Sequence, residues 1–165
     1  MSHRNTLMIG ILSVVIAGAG AAARAQEGGP GAAHLSPQDF MEIQQLYARY
    51  NQTIDAGDHK GWAETFTDDG ALGTTKGHEA LMKTSANWRD NRNGSHMRHW
   101  NNNLMIKSVT AEGVRASVYL VVMDHTTLQQ FQTGVYDDLI VKTPKGWLFK
   151  QRNLKSDPKP KPAAQ

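Results

Sequence analysis

Four side chains in this 165-residue sequence have the chemistry that a proton-transfer site requires: Asp55, His99, Tyr50 and Arg152. His99 lies in Met97-Arg98-His99-Trp100-Asn101-Asn102-Asn103, and imidazole is the side chain that exchanges a proton near neutral pH. An aspartate beside it would fix its tautomer and stabilise its cationic form, as in a catalytic triad. Asp55 closes a helical pattern, where a carboxylate faces the negative end of the helix dipole; against an apolar pocket it could itself serve as a base. Tyr50 lies five residues before Asp55 on the same helix and could donate a hydrogen bond to a substrate oxygen. Arg152, in Lys150-Gln151-Arg152-Asn153, could hold an anion or a leaving group.

Each residue also has a plainer reading. Asp55 could be a solvated member of the turn Asp55-Ala56-Gly57-Asp58. His99, Asn101, Asn103 and Met105 share one face of a strand by the period of two. That polar run either lines a pocket or is the water-facing side of an edge strand. Tyr50 could be core with its hydroxyl satisfied, and Arg152 a surface or ion-pair residue.

The elements that would position these groups follow from periodicity. Ser36-Pro37-Gln38-Asp39 has the residues of a helix start, and Phe40, Ile43, Leu46, Tyr47, Tyr50 and Ile54 recur at helical spacing up to Gly57. Asp58 can cap a short second helix carrying Trp62 and Phe66. Thr67-Asp68-Asp69-Gly70 reads as a turn and Ala71 to Thr75 as a short strand, with a third helix over Glu79 to Trp88 and a loop from Arg89 to Gly94. From Ser95 onward the pattern is of strands: Met97 to Val109, Val114 to Asp124, Leu128 to Thr143 and Trp147 to Leu154, the last two joined by a Pro144-Lys145-Gly146 turn. Helices first and strands afterwards predict an α+β fold.

Composition limits the chemistry. There is no cysteine, so disulfides, thiolate metal sites and cysteine nucleophiles are excluded. His96, His99, Asp124 and His125 lack a zinc-type ligand spacing, so no metal and no cofactor is expected. No Gly-rich phosphate loop or G-x-S-x-G nucleophile elbow is present. The formal charge of +3 falls to about +1 without Arg4 and Arg24, and no basic run is interleaved with aromatics, so no nucleic-acid partner is expected.

Residues 1–25 have a basic start, an uncharged Leu/Ile/Val/Ala/Gly run and a terminal Ala23-Arg24-Ala25. This predicts a signal peptide cut before Gln26, export to the periplasm or beyond, and no membrane anchor after processing. Residues 26–35 read as a flexible leader, 36–156 as one domain, and 157–165, with three prolines, as a disordered tail.

Several segments carry a family resemblance. They are the run from Tyr47 to Asp58 with Trp62 and Phe66, then Phe66 to Gly70, Arg98-His99 with Asn102 or Asn103, Gly134 to Asp138, and Gly146 to Arg152. Together these resemble the SnoaL-like branch of the nuclear-transport-factor-2-like superfamily, which is similar to scytalone dehydratase, hexachlorocyclohexane dehydrochlorinase and bile-acid 7α-dehydratase. The resemblance implies a cone-shaped barrel, a strongly curved and mostly antiparallel sheet wrapped around N-terminal helices. It implies a catalytic Asp55–His99 pair assisted by Tyr50 and Arg152. The implied pocket is lined by Trp62, Phe66, Trp88, Asn103, Tyr119 and Tyr136. No histidine stands at Tyr119 or Val121, where scytalone dehydratase has its second. The activity implied is that of a lyase of the dehydratase type or an isomerase acting on a small apolar molecule, in a homodimer or homotrimer. The other readings are a non-catalytic small-ligand pocket and a dimerisation module.

Overall fold

The computed structural model describes residues 34–91 and 96–158. The expected signal peptide, most of the leader and nearly all of the tail lie outside these residues. Leu35, assigned above to the leader, packs against the core. Asp157, assigned to the tail, donates its N–H to the Thr133 carbonyl at 3.0 Å.

Helix α1 (Pro37–Ala56) begins as its sequence dictates. The Ser36 hydroxyl accepts from the Asp39 N–H, the Asp39 carboxylate accepts from the Ser36 N–H, and proline occupies the first turn. Ile43, Leu46, Tyr47, Tyr50 and Ile54 form its buried stripe. Gly57 ends it with φ 74°, a left-handed conformation that glycine adopts at little cost. Asp58 caps the short α2 (His59–Ala63) through the Gly61 N–H.

Next come β1 (Phe66–Leu72), β2 (Thr75–Lys76) and α3 (His78–Asn91). The expected turn at Thr67-Asp68-Asp69-Gly70 is instead the body of β1. Only Phe66, Gly70 and Ala71 of this segment are buried, so its outward-facing carboxylates imitate a loop composition. The third helix runs to Asn91 rather than stopping at Trp88.

The strands β3 (Met97–Thr110), β4 (Gly113–Asp124), β5 (Gln129–Thr143) and β6 (Gly146–Ser156) form the main sheet. The order is β2-β1-β6-β5-β4-β3. Every pairing is antiparallel except β1 with β6. One face of this six-stranded sheet packs against the helices. Val114, Ala116, Val118, Leu120 and Val122 of β4 point to that face and meet the apolar stripe of α1, as alternation on a strand requires.

The N-terminal end of α1 is pinned to the β5–β6 turn. The Asp39 carboxylate accepts from Lys142 Nζ at 2.6 Å and from Trp147 Nε1 at 3.0 Å. The Lys142 bond, then those from Ser36 and Trp147, hold the Asp39 carboxyl well below its ordinary value of 3.8. A depressed carboxyl contributes stability that is complete above its unfolded value and is lost as pH falls toward the folded one. The wild-type melting temperature should therefore fall as pH drops below about 4, and Asp39→Asn should flatten that part of the profile. Superimposable acid profiles would contradict the assignment.

Candidate active site

The last turn of α1 and the first residues of β3 meet at one pair. His99 Nδ1 lies 2.6 Å from Asp55 Oδ1, and the second carboxylate oxygen accepts the His99 backbone N–H at 3.1 Å. The side chains are only 10% and 12% exposed. A carboxylate oxygen can only accept, so Nδ1 carries a proton, and in the neutral imidazole the lone pair lies on Nε2. Among the described residues Nε2 has no polar partner. The Trp88 ring lies 5.0 Å from the imidazole, centroid to centroid, and screens it from water.

Arg89, one residue beyond the expected end of its helix, donates from Nη1 to the Asp55 carbonyl at 3.3 Å. Its guanidinium lies where a side chain on Gly57 would stand, 2.7 Å from that Cβ position. A cation thus closes the negative end of α1 beside Asp55. Arg89 was hidden in the sequence because the polar run around it reads as loop.

The other expected site residues fall into three groups. Trp88 is at the pair. Tyr50, Trp62, Phe66 and Tyr136 belong to one buried aromatic cluster, with Tyr50 5.4 Å from Trp62, 5.9 Å from Phe66 and 6.4 Å from Tyr136. Burial, then the neighbouring Tyr136, pushes the Tyr50 phenol well above its ordinary range, so it keeps its proton and can donate as well as accept.

Asn103 and Tyr119 are corrected outright: both are exposed, Tyr119 by 54%. Tyr119 alternates with the buried Val118 and Leu120. Asn103 adopts φ 58° where the β3–β4 register shifts between Asn102 and Met105. That bulge breaks the expected common face. His99 and Asn101 keep to the inner side, then Leu104 and Ile106 take it over while Met105 turns out to solvent.

Arg152 is fully buried. Its Nε donates to Asp138 Oδ1 at 2.9 Å, and the Tyr47 hydroxyl donates to Asp138 Oδ2 at 2.7 Å. The guanidinium carbon lies 3.8 Å from the Tyr136 ring centre, 4.2 Å from Tyr50 and 4.3 Å from Phe149. Tyr47 and Tyr50, which Arg152 touches, stand about 8–12 Å up α1 from Asp55 at 1.5 Å per residue. Arg152 is therefore a neighbour of the aromatic cluster rather than of the pair. Burial pushes the Asp138 carboxyl up, and Arg152 and Tyr47 offset this in part. Asp138 could have been found from the spacing of two that links Tyr136, Asp138 and Ile140, and its partner Tyr47 stands in the α1 stripe.

Five buried polar atoms have no partner among the described residues: Asn51 Oδ1, Trp62 Nε1, Asn101 Oδ1 and both Nη atoms of Arg152. Folded proteins rarely leave such groups unpaired, and these are acceptors and donors that a polar molecule could satisfy. A separate open cleft of about 860 Å³ lies between α1, α2, β1 and the β5–β6 turn. Neither Asp55 nor His99 lines it. Its wall mixes charges of both signs with no ordered acid–base pair, so size alone does not make it the reactive site. Among the described residues no three His, Cys, Asp or Glu side chains converge to hold a metal, and no helix is long and apolar enough to cross a membrane.

Comparison with known proteins agrees with this fold. A family profile described as a SnoaL-like domain matches residues 38–153. A protein of unknown function with a cystatin-like fold from Nostoc punctiforme is 27% identical, with a TM-score of 0.70, over 76% of this chain and 96% of that one. An NTF2-like protein from Novosphingobium aromaticivorans is 22% identical with a TM-score of 0.64, over 71% and 80%. A candidate scytalone dehydratase from the same organism is 21% identical with a TM-score of 0.60, over 73% and 85%. None of the curated proteins matches the chain. The architecture is the NTF2-like α+β fold, with N-terminal helices against a six-stranded, mostly antiparallel sheet.

Proposed function

Because the chain belongs to the SnoaL-like domain family, a fold that often carries enzymes of small molecules, we propose that it is a lyase of the dehydratase type or an isomerase. The observation that carries this reading is the short Asp55–His99 hydrogen bond in a screened site, which engages Nδ1 and leaves Nε2 for a substrate.

In the dehydration, His99 Nε2 takes a proton from the carbon next to an electron-withdrawing group. The electron pair of that C–H bond forms a C=C bond, and the C–O bond to the neighbouring hydroxyl breaks. The imidazolium returns its proton to the departing oxygen, so water leaves and the base is regenerated. Returning the proton to a different carbon would make the same chemistry an isomerisation. Asp55 favours the imidazolium that forms and holds the ring in place. All of these steps use the chain's own side chains.

The test begins with small carbonyl compounds that raise the melting temperature of the wild type but not of His99→Ala. In D₂O, the wild type should exchange or eliminate the acidic C–H of such a binder. A panel of His99-dependent binders with neither exchange nor turnover would leave a ligand-binding protein instead.

We further propose export, on the strength of residues 1–25. Mass spectrometry of the exported protein should find a chain starting at Gln26. A mature protein retaining Met1 would refute it.

A further inference from the structure

The directions of α1 and β3 place a second polar rung, Asn51 and Asn101, beside the pair. The Asp39 end of α1 is tied to the β5–β6 turn. That is the end of the sheet where β3 finishes, since Val109 is opposite Val114 and Val114 opposite Ile140. Asp55 meets His99 at the other end, so α1 and β3 run antiparallel. One helical turn back from Asp55 is about 6 Å and reaches Asn51. Two residues on from His99 is roughly 7 Å and reaches Asn101.

Asn51 shares the Asp55 flank of α1 by its spacing of four, and Asn101 shares the inner face of β3 with His99. Both side-chain oxygens are cut off from solvent and have no partner among the described residues. The Asn101 amide nitrogen is 3.5 Å from the Tyr119 carbonyl on β4.

We propose that Asn51 and Asn101 form a hydroxyl-binding subsite, and that the substrate of the Asp55–His99 pair is therefore a hydroxylated molecule. This rests on the reading of the pair given above. Two neutral carboxamides suit a hydroxyl in particular. The unpaired atoms are both amide oxygens, which accept, and a hydroxyl can donate to them. A halide or a bare hydrocarbon would leave the amide oxygens unpaired, and that loss discriminates between ligands.

The test uses cyclohexanone and 3-hydroxycyclohexanone as probes, with binding followed through the NMR signals of the His99 ring. The hydroxylated ketone should bind the wild type at least about tenfold more tightly, the worth of one satisfied buried hydrogen bond. The double variant Asn51→Leu/Asn101→Leu should lose that preference while binding cyclohexanone as before. Its melting temperature should equal or exceed that of the wild type, because two unpaired acceptors have been removed. If the double variant does not fold, the single changes Asn51→Ala and Asn101→Ala should each reduce the preference.

Equal binding of the two probes, binding of neither, a preference that survives the substitutions, or a large fall in the melting temperature of both single variants would overturn the subsite. Deuterium exchange separates the two ideas. Exchange without a hydroxyl preference refutes the subsite alone, and a preference without exchange refutes the catalytic reading alone.

Discussion

His99→Ala should lower kcat/KM on any substrate by about 10²–10⁴, the usual contribution of a positioned general base, while leaving the fold intact. Asp55→Asn should do comparable damage by a different route. An asparagine amide can donate to Nδ1, which would move the imidazole proton to Nε2 and remove the lone pair that the reaction needs. Because the two residues act as a unit, the double variant should be little worse than either single one. Steady-state kinetics with circular dichroism as a folding control provide the check. A His99→Ala enzyme within tenfold of wild type would sink the mechanism.

Asp138→Ala should be among the most destabilising single changes available, at about 3–5 kcal/mol. It would strand the Arg152 guanidinium, already short of two partners, among the rings of Tyr47, Tyr50, Tyr136 and Phe149. It would also remove the acceptor of the Tyr47 hydroxyl. Replacing both members, as Asp138→Leu/Arg152→Met, should restore most of the loss, since buried ion pairs often exchange for apolar residues at little cost. Urea denaturation would measure both effects. A loss below about 1 kcal/mol for Asp138→Ala would mean that water already reaches the guanidinium. Should the double variant fold and retain turnover, Arg152 acts in packing rather than on the leaving group.

The sequence exposed more of the fold than of the site. The helix cap at Ser36, the stripe from Ile43 to Ile54, the stop at Gly57 and the four long strands all follow local rules, and they appear within a few residues of their expected bounds. The Asp55–His99 pairing was legible only through resemblance. Its partners are 44 residues apart, and no periodicity links a helix end to a strand start.

The errors are those of local rules overridden by tertiary structure. β1 reads as a turn because its carboxylates face outward. Alternation predicts Asn103 inside because a bulge cannot be read from a pattern that continues on both sides of it. The resemblance implies Tyr119 in the pocket, against its own alternation with the buried Val118 and Leu120. Arg152 reads as an anion holder or an ion-pair residue, and nothing in Lys150-Gln151-Arg152-Asn153 announces that its partner is Asp138 on the adjacent strand.

The bond from the His99 backbone to Asp55 has a consequence for self-association. β3 is the last strand of the sheet, so a main-chain N–H that points away from β4 is open to strand addition by another chain. At His99 that N–H is already taken by the Asp55 carboxylate. The residue that orients the imidazole therefore also occupies an edge donor of β3. Asp55→Asn keeps an acceptor for the N–H and should stay monodisperse in whatever assembly the wild type forms. Asp55→Ala bares it, and light scattering on the concentrated protein should then show aggregates that the asparagine variant lacks. Two inactive enzymes with the same scattering would show that the carboxylate serves the imidazole alone.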